Sequence, residues 1–97
     1  MPRCKKKRCC RRLGSEKVFK PISVPWKKLK MVDLELDEFE AIRLCDLEDK
    51  SQIDAGQAMG VSRGTIQRLL KSARKKIVKA FLEDDAIRIK NDYKKEE

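Results

Sequence analysis

Residues Gln52 to Lys71 read QIDAGQAMGVSRGTIQRLLK, and this stretch predicts two short helices joined by a tight turn. Gly60 stands where the first helix needs a residue that tolerates positive φ, and Ser62 is a favoured N-cap for a second helix. Ala55 and Gly56 are small enough to let the two helices approach closely. This pattern is typical of a helix-turn-helix, whose second helix enters the major groove of DNA.

The second helix of this pair carries side chains suited to DNA. Residues 61–82 hold seven basic residues and no acid, as a surface approaching phosphates requires. The alternative is an ordinary amphipathic pair of helices whose charges form a solvated face. From their positions on the helix we predict that Arg63, Gln67 and Arg68 face bases, and that Ser62, Thr65, Lys71, Arg74 and Lys75 lie nearer phosphates.

Composition favours a small basic protein over an enzyme. The chain has 97 residues, a net charge of +9 and a pI near 9.6, which predicts one domain and an anionic partner. It has no histidine and no glycine-rich phosphate loop, and its carboxylates are expected on exposed helical faces or in helix caps. We therefore predict no catalytic residues and no enzymatic activity.

Residues 1–17, MPRCKKKRCCRRLGSEK, are predicted to be a mobile basic arm, because they lack the apolar surface needed to fold alone. The alternative is a solubilising tail. No cofactor is predicted, although Cys4, Cys9 and Cys10 are candidates for a metal or cluster site or for reactive thiols. The predicted phosphate contacts in the arm are Arg3, Lys5, Lys6, Lys7, Arg8, Arg11 and Arg12.

The rest of the chain divides into a connector, a helical domain and a tail. Residues 18–36 should form an extended connector with a short strand at its end, and residues 83–97 a strand over 86–89 and a tail. Helices are predicted at about 37–48, 51–59 and 63–82, the first capped by Asp37 with Glu40. The strand at 86–89 is a candidate partner for residues 32–36.

Two expectations concern apolar packing. The connector residues Phe19, Ile22, Val24, Trp26 and Leu29 should fix the connector to the helical core. The third helix should bury an apolar stripe of Ile66, Leu69, Leu70, Ala73, Ile77, Ala80 and Phe81, while Cys45 should be a small buried thiol on the first helix. The predicted fold is thus mainly α: a three-helix helix-turn-helix domain with a basic N-terminal arm, and room for a short two-stranded β element.

Three segments carry a resemblance to a known family: the opening MPR, the stretch FKPISVPWKKLKMVDLELDEFEAIRLCDLE, and the stretch SQIDAGQAMGVSRGTIQRLLKSARKKIVKAF. Together they resemble a family of small, uncharacterised prokaryotic proteins predicted to bind DNA, with a helix-turn-helix similar to region four of sigma factors. The resemblance covers nearly the whole chain and implies DNA binding in transcription. Family members often have a further cysteine near the C-terminal tyrosine, whereas Tyr93 is followed here by KKEE.

The function expected from these observations is that of a DNA-binding transcriptional regulator. Its expected partners are double-stranded DNA and, as further candidates, RNA polymerase and a second copy of the chain. Two alternatives stay open: a protein-interaction module, such as one that binds polymerase, and a thiol-sensing or metal-sensing DNA-binding regulator. Because no apolar run is long enough for a membrane span or a signal peptide, a cytoplasmic protein without a membrane partner is expected.

Overall fold

The computed structural model describes residues 16–90, which form three helices and one small three-stranded sheet. The elements, in chain order, are β1 (Lys17–Phe19), a 3₁₀ turn (Trp26–Lys28), β2 (Met31–Leu34), α1 (Leu36–Ile42) continued by a π-helical turn (Arg43–Leu47), α2 (Gln52–Met59), α3 (Arg63–Glu83) and β3 (Ala86–Ile89). None of the helices in this part of the chain has the length and apolar character needed to cross a membrane.

The sheet has the order β1-β3-β2, so the last strand lies in the middle. β3 runs parallel to β2, with Val32 opposite Ile87 and Leu34 opposite Ile89, which confirms the predicted pairing of these segments. The remaining strand of the sheet, β1, was not predicted. β1 pairs antiparallel with β3, with Lys17 opposite Ile89, and so joins the beginning of the connector to the sheet.

The first helix starts earlier than predicted, with a different cap. Glu35 is the N-cap, and its carboxylate and that of Glu38 each accept a backbone N–H from the other residue. The predicted cap of Asp37 with Glu40 is therefore wrong. Asp37 lies instead in the first turn, where the helix dipole favours an acid. The N-cap of α2 is Ser51, whose hydroxyl accepts the Asp54 N–H at 3.0 Å.

The core consists of two apolar clusters that share α3. The first lies where the three helices meet, and the second lies between α3 and the sheet. Because α3 packs in both clusters, its rotation about its own axis is fixed. This rotation determines which of its side chains face solvent. The buried members are Ala41, Leu44, Ala55, Met59, Ile66 and Leu70 in the first cluster and Leu34, Ala73, Ala80, Ile87 and Ile89 in the second.

The connector packs less than expected. Phe19, Ile22 and Trp26 are 60%, 97% and 63% exposed, so the prediction that they fix the connector to the core is wrong, whereas Val24 and Leu29 are partly buried. A turn accounts for the exposure of Ile22, because the Val24 N–H bonds to the Pro21 carbonyl at 3.4 Å and Ile22 lies at the outside of that turn.

Three carboxylates are buried, contrary to the expectation that all lie on exposed faces or in caps: those of Glu38 and Glu40 and, just after α3, that of Asp85. Glu38 is only 6% and Glu40 only 5% exposed. Both are satisfied by partners, as burial of a charge requires. Glu40 accepts two bonds from the guanidinium of Arg43, at 2.7 and 2.9 Å, and Arg43 also pairs with Glu48, so its pKa is raised chiefly by the hydrogen bonds to Glu40.

Candidate nucleic-acid interface

The turn between α2 and α3 has the conformation that its sequence predicts. Gly60 adopts the left-handed conformation, with φ 74° and ψ 32°, and the Val61 N–H bonds to the Gly56 carbonyl at 2.9 Å. A Cβ added at Gly56 would lie 2.7 Å from the Val61 carbonyl oxygen, closer than real side chains allow. The absence of a side chain at Gly56 therefore lets the chain enter α3 directly against α2.

A small hydroxyl network caps the start of α3. The Ser62 hydroxyl accepts the Thr65 N–H at 3.1 Å, which confirms Ser62 as the N-cap, and the two hydroxyls are themselves 3.1 Å apart. Arg68 donates from its guanidinium to the Thr65 hydroxyl at 3.2 Å. Ser62 and Thr65 thus already serve the helix, and Thr65 also positions the guanidinium of Arg68 on the exposed surface.

One exposed row on α3 has no partner among residues 16–90. Arg63, Gln67, Lys71 and Lys75 follow each other at four-residue intervals, so they lie along one side of the helix. All four are exposed, and none forms a hydrogen bond or an ion pair with another residue of the 16–90 range. Their donor groups are therefore available to an external ligand.

Arg74, which was predicted to lie near phosphates, is engaged by an acid. Its guanidinium donates to the two carboxylate oxygens of Asp46 at 2.6 and 3.3 Å, and these bonds raise the pKa of Arg74. Both side chains are substantially exposed, so the pair is weak and a phosphate can compete for Arg74. Sequence reasoning missed this pair because the residues are 28 positions apart and lie on different helices.

The rotation of α3 is fixed by a buried polar contact that sequence reasoning also missed. Glu38 of α1 accepts hydrogen bonds from the Ser72 hydroxyl at 2.5 Å and from the Lys76 ammonium at 2.7 Å. Lys76 also donates to the Asp33 carbonyl at 2.9 Å, which ties α3 to β2. Since these partners lie on the inward side of α3, the row that begins at Arg63 is held toward solvent.

The field at the start of α3 favours anions. The N-terminus of the helix carries a partial positive charge, and the basic side chains of residues 63–75 add to it without an acid among them. Gly64 leaves a gap in this surface, since an added Cβ would meet only the Ser62 hydroxyl oxygen, at 3.9 Å. A polyanion can therefore approach the backbone of the first turn closely.

The cysteines contribute no metal centre within the described residues. Cys45 is partly buried against the helical core, and this burial raises the pKa of its thiol. Residues 16–90 contain no group of three side chains placed to hold a metal ion. Cys4, Cys9 and Cys10, like the predicted phosphate contacts of the arm and like Tyr93, lie outside the described residues.

Comparison with known proteins identifies a family. The family described as "protein of unknown function DUF134" matches residues 1–96, and the chain belongs to it. A UPF0251 protein of Shewanella sediminis is 46% identical over 90 residues, which cover 90% of this chain and 91% of the relative. UPF0251 proteins of Halothermothrix orenii and Vibrio vulnificus are 42% and 40% identical, covering 97% and 94% of this chain and 70% and 91% of the relatives. No solved structure matches the chain.

Proposed function

We propose that this member of the DUF134 family is a DNA-binding protein, in which α2, the turn and α3 act as a helix-turn-helix similar to region four of sigma factors. Its role would be transcriptional regulation in the cytoplasm. The observation that carries the proposal is the exposed row of Arg63, Gln67, Lys71 and Lys75, whose donor groups lack partners among residues 16–90. An external ligand that supplies hydrogen-bond acceptors would explain why these four side chains on one side of the helix have no partners among residues 16–90.

The surface is one exposed side of a helix, so it suits a ligand with a groove that can accept a helix. An α-helix fits the major groove of duplex DNA, and residues in its first turns reach the base edges. Arg63 and Gln67 stand in those turns, and Arg68 follows Gln67 with its guanidinium bonded to the Thr65 hydroxyl. Arginine can donate two parallel bonds to guanine and glutamine can pair with adenine in the same way, so these three side chains are assigned to bases.

The remaining positions are assigned to the DNA backbone. Lys71 and Lys75 lie further along the same row, where an ammonium can meet a phosphate without reading the sequence. Arg74 would join them by exchanging Asp46 for a phosphate oxygen. The Ser62 hydroxyl is occupied as the N-cap, so its contribution is to hold the first-turn N–H groups toward a phosphate.

A protein-interaction module, for example one that binds RNA polymerase, is the second candidate. The observation in its favour is the connector, where Ile22 and Trp26 are large apolar side chains left in solvent. Binding to duplex DNA distinguishes the two functions, because a protein-interaction module would bind DNA only nonspecifically, through its positive charge.

The test is the salt dependence of binding to duplex DNA, measured by fluorescence anisotropy with the full chain and two variants. Lys75→Ala should lower the affinity for all sequences alike and reduce the slope of log K against log salt by about 0.9, as expected for one lost phosphate contact. Lys79→Ala is the control, since Lys79 lies one turn further along α3 and is paired with Glu83 at 2.9 Å. Equal slopes for the wild type and both variants would contradict the proposed interface.

A further inference from the structure

The C-terminal half of α3 exposes a continuous apolar surface. Phe81 was predicted to be buried, but its side chain is 71% exposed, and Val78 and Leu82 beside it are exposed as well. Ala80 is buried as predicted and packs against the sheet, but Phe81 lies about 100° further around the helix and projects past that contact. The α3 helix has 21 residues against eight in α2, so its second half extends beyond the helical pair.

An apolar groove lies beside Phe81. Its volume is about 230 Å³, and Phe19, Phe39, Ile77 and Ile87 are among the apolar side chains that line it together with Phe81. All the residues between 16 and 90 that line this groove are apolar. Large apolar residues of this kind make up the buried centre of protein interfaces.

We propose that this surface binds the same surface of a second copy of the chain. The two α3 helices would pack antiparallel about a twofold axis near residues 78–81, and each Phe81 would lie in the groove of the other copy. A twofold contact is self-complementary, so it requires one patch that carries both a projection and a hollow. Phe81 and the groove beside it meet that requirement.

The charges along α3 favour this arrangement. Residues 74–79 of α3, before the midpoint between Val78 and Phe81, include four basic residues and no acid, whereas residues 83–85, after it, are all acidic. Asp84 is exposed. Antiparallel packing therefore places the acidic end of one copy near the basic segment of the other, whereas parallel packing would place like charges together, which costs free energy.

The proposed contact leaves the base-reading side of α3 open. The base-reading residues Arg63, Gln67 and Arg68 precede the midpoint of the contact by about 11 to 16 residues, or roughly 17 to 25 Å along the helix axis. Because α3 ends at Glu83, an antiparallel partner helix would overlap it only from about residue 76 onward. The second copy would therefore lie beyond the base-reading residues and would not cover them.

The dimer also gives a spacing, which rests on the proposed function. Gln67 lies about 13 residues, or about 20 Å, from the twofold axis, given the helical rise of 1.5 Å per residue. Two antiparallel helices that cross at about 50° would then hold their Gln67 positions about 35 Å apart. This distance is close to the roughly 34 Å between half-sites one turn apart on DNA.

Sedimentation equilibrium of the full chain at micromolar concentration, without DNA, tests the dimer independently of the DNA proposal. The wild type should have twice the chain mass of 11.3 kDa. Phe81→Glu should raise the dimer dissociation constant about tenfold or more, because a carboxylate would enter an apolar groove. The control is Leu47→Glu, since Leu47 is similarly exposed, at 74%, but lies in the π-helical turn, away from the proposed contact. Circular dichroism should show unchanged helicity in both variants.

Three results would overturn the inference: a wild type that sediments as a monomer, a dimer that Phe81→Glu leaves intact, or equal dissociation by Phe81→Glu and Leu47→Glu. DNA binding separates a failure of this inference from a failure of the proposed function. If the interface is correct, Phe81→Glu should keep its affinity for a single half-site and lose the advantage of a double site. A wild type that dimerises through Phe81 but does not bind duplex DNA would support the interface and refute the proposed function.

Discussion

Gly56 and Gly64 should respond to the same substitution with opposite changes in stability. Replacing either glycine with alanine gains about 1 kcal/mol of helix propensity. At Gly56 the new methyl carbon would lie 2.7 Å from the Val61 carbonyl oxygen, a backbone atom, so α2 and the turn must separate. Overpacking of this kind costs about 1 to 3 kcal/mol, which leaves a net loss of about 1 kcal/mol for Gly56→Ala. At Gly64 the nearest atom is the Ser62 hydroxyl oxygen at 3.9 Å, so the gain should remain.

Thermal unfolding followed by circular dichroism measures both effects. For a domain of this size, 1 kcal/mol corresponds to a change in Tm of about 4 to 8 °C, so the two variants should move the Tm in opposite directions by several degrees. Gly64→Ala should nevertheless weaken binding to a preferred DNA site, because its methyl group would stand in the gap through which DNA approaches the helix backbone. A higher Tm for Gly56→Ala would refute the close approach of α2 and the turn. Unchanged DNA affinity in Gly64→Ala would refute the close approach of DNA.

Three further predictions concern other parts of the molecule. Asp33 accepts two hydrogen bonds from Arg88, which lower the pKa of its carboxyl group, so Asp33→Asn should cost about 0.2 to 1 kcal/mol in urea unfolding at pH 7. Since a lowered pKa stabilises the fold above the unfolded value and the gain is lost as pH falls through the folded value, this cost should vanish near pH 2; a cost that persists there would contradict the assignment to the ion pair. Cys45, whose pKa is raised by burial, should react more slowly with iodoacetamide at pH 8 in the folded chain than in urea, and equal rates would show that its thiol is not protected. Lys76→Met should destabilise the fold by about 1 to 3 kcal/mol, because it removes the ion-pair partner of the buried Glu38 carboxylate but leaves the Ser72 hydroxyl bonded to it, and a cost no larger than that of Lys79→Met, which removes an exposed pair, would refute this role.

The features that could be predicted from the sequence are those that depend on neighbouring residues. The turn at Gly60 and the N-cap at Ser62 follow from backbone preferences at single positions, and the β2–β3 pairing follows from two short apolar segments. The turn and the N-cap together place the start of α3 at the surface of the molecule. The row that begins at Arg63 then follows from helical spacing.

The features that could not be predicted depend on contacts between distant segments. Nothing local indicates that Lys76 meets Glu38, because 38 residues separate them. Phe81 fits the apolar period of α3, but its burial within the chain depends on whether the sheet extends far enough to cover it. The sequence of α3 does not show how far the sheet extends. The cap at Glu35 was missed for a different reason: two overlapping pairs of acids could each cap α1, and the pattern alone does not choose between them.

When binding sites are selected from a randomised duplex DNA pool, we expect the full-length wild type to enrich a defined sequence, and Arg68→Ala to bind that sequence about 1 to 3 kcal/mol more weakly and to lose preference at one base position. Circular dichroism of the variant should match the wild type, because the Arg68 side chain is exposed. A wild type that enriches no sequence, or a folded Arg68→Ala variant that enriches the same sequence with the same preference at every position, would contradict the claim that α3 reads DNA.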